Sequence, residues 1–138
     1  MDKTKMVQLL QADLTHEYLA MNFYLQCSFT VRGYRRGFLK GWLREQASEE
    51  LGHATQIADK IASLGGVPTP VIPEAKGLRD PIAILETALK YEQEVVTNFT
   101  QRVKDADALG DVHLRMLLEE QLAESQGEAE EIQKLLEK

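Results

Sequence analysis

A single cysteine, Cys27, stands among the 138 residues. That excludes an internal disulfide and suits a reducing, cytoplasmic compartment. No apolar run approaches the ~18 residues of a membrane-spanning helix, and the opening Met1-Asp2-Lys3-Thr4-Lys5 does not read as a secretion signal. Basic residues are too few for a nucleic-acid face: 16 Lys and Arg against 22 Asp and Glu leave a net charge of −6. The same imbalance is compatible with attracting cations. Strand signals are absent. Of the four prolines, Pro68, Pro70 and Pro73 crowd one stretch. With 43% apolar and 28% charged residues, the composition is that of a folded, soluble chain with one continuous core.

The punctuation divides the chain into four helices. The first is expected over 5–32, with Thr4 as N-cap and Gly33 beyond its end. The second is expected over 38–64 and stops at Gly65-Gly66. The proline-bearing stretch 67–79 cannot be helical throughout. Asp80-Pro81 reads as an N-cap and first helical residue, and the third helix runs on to about Ala108. Gly110-Asp111 breaks the chain and caps a fourth helix from about Val112 to the end. Short links pair the first two and the last two helices as antiparallel hairpins. The middle link, at ~3.1 Å per residue in polyproline geometry, is long enough to run the length of a bundle. The expectation is one all-α domain over 1–138: an up-down four-helix bundle with one long crossover and no fifth helix.

The helix seams are apolar at their ends and polar in their middles. The second helix presents Leu43, Gln46, Glu50, His53, Ile57, Ile61 and Leu64. The third presents Ile82, Leu85, Leu89, Glu92, Val96, Phe99 and Val103. The first carries Glu17 and Tyr24 between Met6, Leu10, Leu14 and Ser28, with Leu19 and Phe23 expected off the core seam. The fourth carries Gln121, Ser125 and Glu128 between Leu114, Leu118 and Ile132, flanked by Leu117 and Glu124. A bundle seam should be apolar throughout. A buried unpaired carboxylate costs several kcal/mol or takes up a proton. Glu17, Glu50 and Glu92 lie near the midpoints of three helices, and no Lys or Arg occupies the centre of a seam. A shared divalent cation meets that need, since carboxylates and imidazole are good ligands for Fe, Mn and Zn. Glu50-x-x-His53 puts both side chains on one helix face.

At these residues the chain resembles the ferritin family, in particular its non-haem bacterial branch. The matching runs are Glu17-Tyr18-Leu19-Ala20-Met21-Asn22-Phe23-Tyr24, Glu49-Glu50-Leu51-Gly52-His53-Ala54, Tyr91-Glu92-Gln93 and Glu120-Gln121-Leu122-Ala123-Glu124. The resemblance implies a ferritin-like di-iron bundle. Glu17, Glu50 and His53 would hold a first iron. Glu50 would bridge to a second iron held by Glu92, with Gln121 and Glu124 nearby and Tyr24 behind the ligands. Glu49, Glu120 and Glu124 would match part of a third iron site, but Ala123 stands where that site has another acid. Relatives with a second Glu-x-x-His differ at Ser125-Gln126-Gly127-Glu128. Leu51 replaces the haem-holding methionine of bacterioferritins, so no haem is expected.

The function implied is oxidation of Fe(II) by O2 or H2O2 at a di-iron centre, with iron storage in a homo-oligomer. The rivals are a stand-alone di-iron oxidase or peroxidase, and a metal-buffering bundle without turnover. His16 and His113 are expected at the surface. Arg32, Arg35, Arg36 and Lys40 are expected in a solvated turn.

Overall fold

The computed structural model describes residues 1–137. They form four helices, α1 (Lys3–Thr30), α2 (Arg36–Ser63), α3 (Pro81–Leu109) and α4 (Val112–Leu136), and no strand occurs among the described residues. Three of the four starts are capped by an aspartate; α2 begins at Arg36 with no side-chain cap. The Asp2 carboxylate accepts the Lys5 N–H at 2.8 Å, Asp80 accepts Ala83 N–H at 2.9 Å, and Asp111 accepts Leu114 N–H at 2.9 Å. The cap of α1 is therefore Asp2 and not Thr4, which lies inside the helix. Helix α1 ends at Thr30, two residues short of expectation, because Val31 turns extended and is buried. The Arg32 and Arg36 guanidiniums then donate to the carbonyls this exposes, at Phe29 and Val31 among others. Gly110 ends α3 in the left-handed conformation, φ 81°.

Helices α1 and α2 pack as a hairpin, as do α3 and α4. The crossover between them lies along α1. Near the start of α1 the Gln11 amide donates to Val67 O at 2.6 Å and accepts from Thr69 N at 3.0 Å. Further along, Asn22 donates to Pro73 O at 3.0 Å. At the far end the Thr30 hydroxyl donates to Leu78 O at 2.6 Å, and Arg32 N bonds Arg79 O at 3.0 Å. The crossover thus delivers Asp80 to the end of the bundle where α2 begins, so α3 runs parallel to α2 and antiparallel to α1.

The core is two apolar blocks. One gathers Phe23, Tyr24, Cys27, Leu39, Leu43, Ile84, Leu85 and Ile132; the other gathers Met6, Leu10, Leu14, Ile57, Ile61, Phe99, Leu114 and Leu118. Between them lies a buried polar layer of Glu17, Gln46, Glu50, His53, Glu92, Gln121 and Ser125.

Two further expectations need correcting. Phe23 is buried in the first block and edge-on to Tyr91, so it is no surface residue. The inward face of α3 is rotated to Ile84, Leu85, Ala88, Glu92, Val95, Phe99, Arg102 and Ala106. Ile82 is exposed, and Leu89, Val96 and Val103 flank the core. The rotation brings Arg102 against Asp13 of α1, with N–O distances of 2.7 and 3.2 Å.

Candidate metal centre

The polar layer takes one residue from each helical turn that reaches it. Glu17 comes from α1, Glu50 and His53 from adjacent turns of α2, and Glu92 from α3. Donor atoms of Glu17, Glu50 and His53 lie within 4.8 Å of one another. His53 Nδ1 is 3.8 Å from a Glu50 oxygen and 3.9 Å from a Glu17 oxygen. Glu92 accepts a 2.9 Å hydrogen bond from the Tyr24 hydroxyl. Tyr24 is in turn edge-on to Trp42.

These groups are poorly satisfied by protein alone. Both Glu17 carboxylate oxygens, Glu92 Oε2 and His53 Nδ1 are buried without a hydrogen-bond partner. Unpaired buried polar atoms are costly and rare. Burial, then the neighbouring charge of Glu50, pushes Glu17 well above the usual carboxylate range. Burial also raises Glu92, reinforced by the Glu50 charge and opposed by the Tyr24 hydrogen bond and the neighbouring Ser125 hydroxyl, to about 8. Burial would raise Glu50 too, but the neighbouring Glu17 carboxyl and His53 imidazole outweigh it and hold it low. Burial works against a charged His53, yet Glu50 and Glu124 outweigh it and raise the imidazole to about 9. A cluster that must hold protons to be buried is one in which a cation can take their place. Oxygen and imidazole donors of this kind suit iron.

Helix α4 contributes differently from the other three. Gln121 is buried, and its amide donates to His53 O at 3.3 Å and to Gln56 Oε1 at 2.8 Å. Glu124 contacts His53 at Nε2, the nitrogen turned away from the carboxylates. Ser125 is buried beside Glu92. Glu128 is half-buried, and its charge is felt by Glu92 and Tyr24.

Of the acids matched to a third site, Glu49 and Glu124 share an open groove with Glu128 and Glu131, while Glu120 lines a separate groove with Gln56 and His113. Leu51 is exposed. His16 is half-buried instead of free, 2.9 Å from Glu94 and edge-on to Tyr91. His113 is exposed, with Nδ1 3.2 Å from Lys60 Nζ. The buried Asp13–Arg102 pair escaped sequence reasoning. Its one signal was an Arg spaced seven residues from Val95 on the inward face.

Comparison with known proteins places this geometry among relatives. A family model described as the ferritin-like domain matches residues 7–138. The bacterial non-heme ferritin of Bacteroides fragilis, in strains 638R and YCH46, is 30% identical over 97 residues, 66% of this chain and 58% of the relative. The match thus spans less than two thirds of those curated relatives. A crystal structure of ferritin like, diiron-carboxylate proteins from Bacillus anthracis str. Ames superposes with a TM-score of 0.93 at 33% identity, covering 99% of both chains. The dodecameric thioferritin of Bacteroides fragilis, a bacterioferritin-related protein, shares the fold with a TM-score of 0.89 at 24% identity, covering 99% of this chain and 86% of that one.

Proposed function

Because the chain belongs to the ferritin family as a ferritin-like domain, we propose that its polar layer binds two iron ions and that the protein oxidises Fe(II) with O2 or H2O2. The observation that carries this reading is the buried set Glu17, Glu50 and His53, whose inward atoms Glu17 Oε1 and Oε2 and His53 Nδ1 have no protein partner. Glu17 and His53 would hold the first iron, Glu50 would bridge, and Glu92 would hold the second. Iron bound there supplies the one-electron chemistry that no side chain of this chain offers.

The residues have separable tasks. The carboxylates gather positive charge and favour the higher oxidation state. Tyr24 holds one Glu92 oxygen by donating its hydroxyl proton, which leaves the other oxygen free to bind. The two apolar blocks keep bulk water from either side of the layer. The second position has one carboxylate of its own and no second histidine, so it should bind more weakly than the first. On α4, Ser125 and the half-buried Glu128 are the groups that act on Glu92. With Leu51 exposed at the position of the haem-holding methionine, we take the centre to work without haem. We further take the iron to be stored in a homo-oligomer.

The test is Glu50→Ala. The variant should keep its helical content and lose fast Fe(II) oxidation, and titration with Co(II), a non-oxidising probe, should lose its tighter site. Initial oxidation rates and Co(II) binding equal to wild type would remove the centre from this layer.

A further inference from the structure

A ligating imidazole is oriented through its other nitrogen. Metal-bound histidines almost always donate that second N–H to a carboxylate, carbonyl or water, which fixes both tautomer and ring direction. The two nitrogens of His53 face different company. Nδ1 looks into the carboxylate set, near Glu50 and Glu17, and has no partner. Nε2 contacts the carboxylate of Glu124. The two lone-pair directions of an imidazole diverge, so a group bonded at Nε2 lies on the far side of the ring from an ion bound at Nδ1. Exposure agrees: the Glu124 side chain is 50% exposed at the rim, while those of Glu17 and Glu50 are 1% and 5% exposed.

Helix α4 also grips the same residue at a second point. Gln121, one turn before Glu124, donates its amide to the His53 carbonyl. Helices α2 and α4 meet far less closely than the two hairpins do. Across that sparse seam, Gln121 fixes the His53 backbone and Glu124 its ring.

We propose that Glu124 is a positioning residue: it accepts the His53 Nε2 proton and so presents Nδ1 to the ion, instead of ligating the ion itself. The proposal rests on the metal-centre reading above and deepens it.

The experiment uses the full chain labelled with 15N at histidine and loaded with 113Cd(II). The expected spectrum shows 113Cd coupling to His53 Nδ1, with Nε2 carrying a proton protected from solvent exchange. Glu124→Ala should expose that proton to exchange and weaken Co(II) binding at the tighter site about 10- to 100-fold. Glu124→Gln keeps an acceptor oxygen and should restore most of the affinity. A purely structural role would lower the unfolding midpoint without altering the coupling or the proton's exchange. Cadmium coupling to Nε2 would overturn the proposal. So would wild-type affinity in Glu124→Ala, or equal losses in the Ala and Gln variants. Failure of the underlying reading looks different: wild-type protein would then show no 113Cd coupling at either His53 nitrogen.

Discussion

At the scale of single residues, burial and the neighbouring carboxylates hold protons on the polar layer. Glu92 holds its proton up to about 8 and His53 up to about 9, both above their ordinary values. The folded chain therefore binds more protons than the unfolded chain between the unfolded and folded values of each group. Stability is fully present below the unfolded values and is lost as pH rises through the folded ones. The Tm of metal-free protein should fall from about pH 5 to about pH 9. With Co(II) bound the slope should flatten, and binding at neutral pH should release protons that a weakly buffered titration detects. A metal-free Tm that rises across this window would contradict the assignment. Glu17, Glu50, His53 and Glu92 were legible in the sequence because each interrupts an apolar seam at mid-helix. Glu124 and Asp13 were harder to interpret. They sit beside the seams, and spacing along one helix does not say which group on a neighbouring helix a flanking side chain will meet.

At the scale of elements, the crossover depends on a close approach at Gly77. A Cβ there would stand 2.6 Å from the Thr30 hydroxyl oxygen and 3.0 Å from the Gln26 carbonyl oxygen. That would displace the Thr30 bond to Leu78. Gly77→Ala should destabilise the protein by about 1–3 kcal/mol in urea unfolding. Gly41, inside α2 with nothing within 4 Å, should do the reverse: Gly41→Ala should add about 0.5–1 kcal/mol. Equal effects from the two substitutions would mean that the crossover is not held where described. Most of the architecture could be read beforehand, because Asp80-Pro81, Gly110-Asp111 and the proline cluster leave few alternatives. The rotation of α3 could not. Its inward face uses small Ala88 and Ala106 and a paired Arg102, and a reading that favours large apolar residues selects Ile82 and Leu89 instead.

At the scale of the whole molecule, the bundle is filled by its two apolar blocks and the layer between them. Protein interiors pack nearly solid, so one subunit has no room for mineral, and storage requires a hollow assembly of copies. The outward apolar residues on α1 are Leu25 and Phe29, with Val71 and Ile72 on the crossover. Apo-protein loaded with Fe(II) in air and separated by size should elute as a large particle. It should carry far more than the about two irons per subunit of a di-iron site. Elution as a monomer or dimer with about two irons per subunit, the excess precipitating, would refute storage and leave the stand-alone oxidase with the same ligands.

If the layer that divides the core binds iron as proposed, the bound ion also protects the folded chain. A ligand bound only by the folded state adds about 2.7 kcal/mol when its free concentration is a hundred times its Kd. Proteases act on the fraction of molecules transiently open, and that fraction falls about a hundredfold under the same gain. A cell short of iron would thus clear empty copies faster than filled ones and recover their amino acids. The number of molecules would then rise and fall with iron supply through turnover.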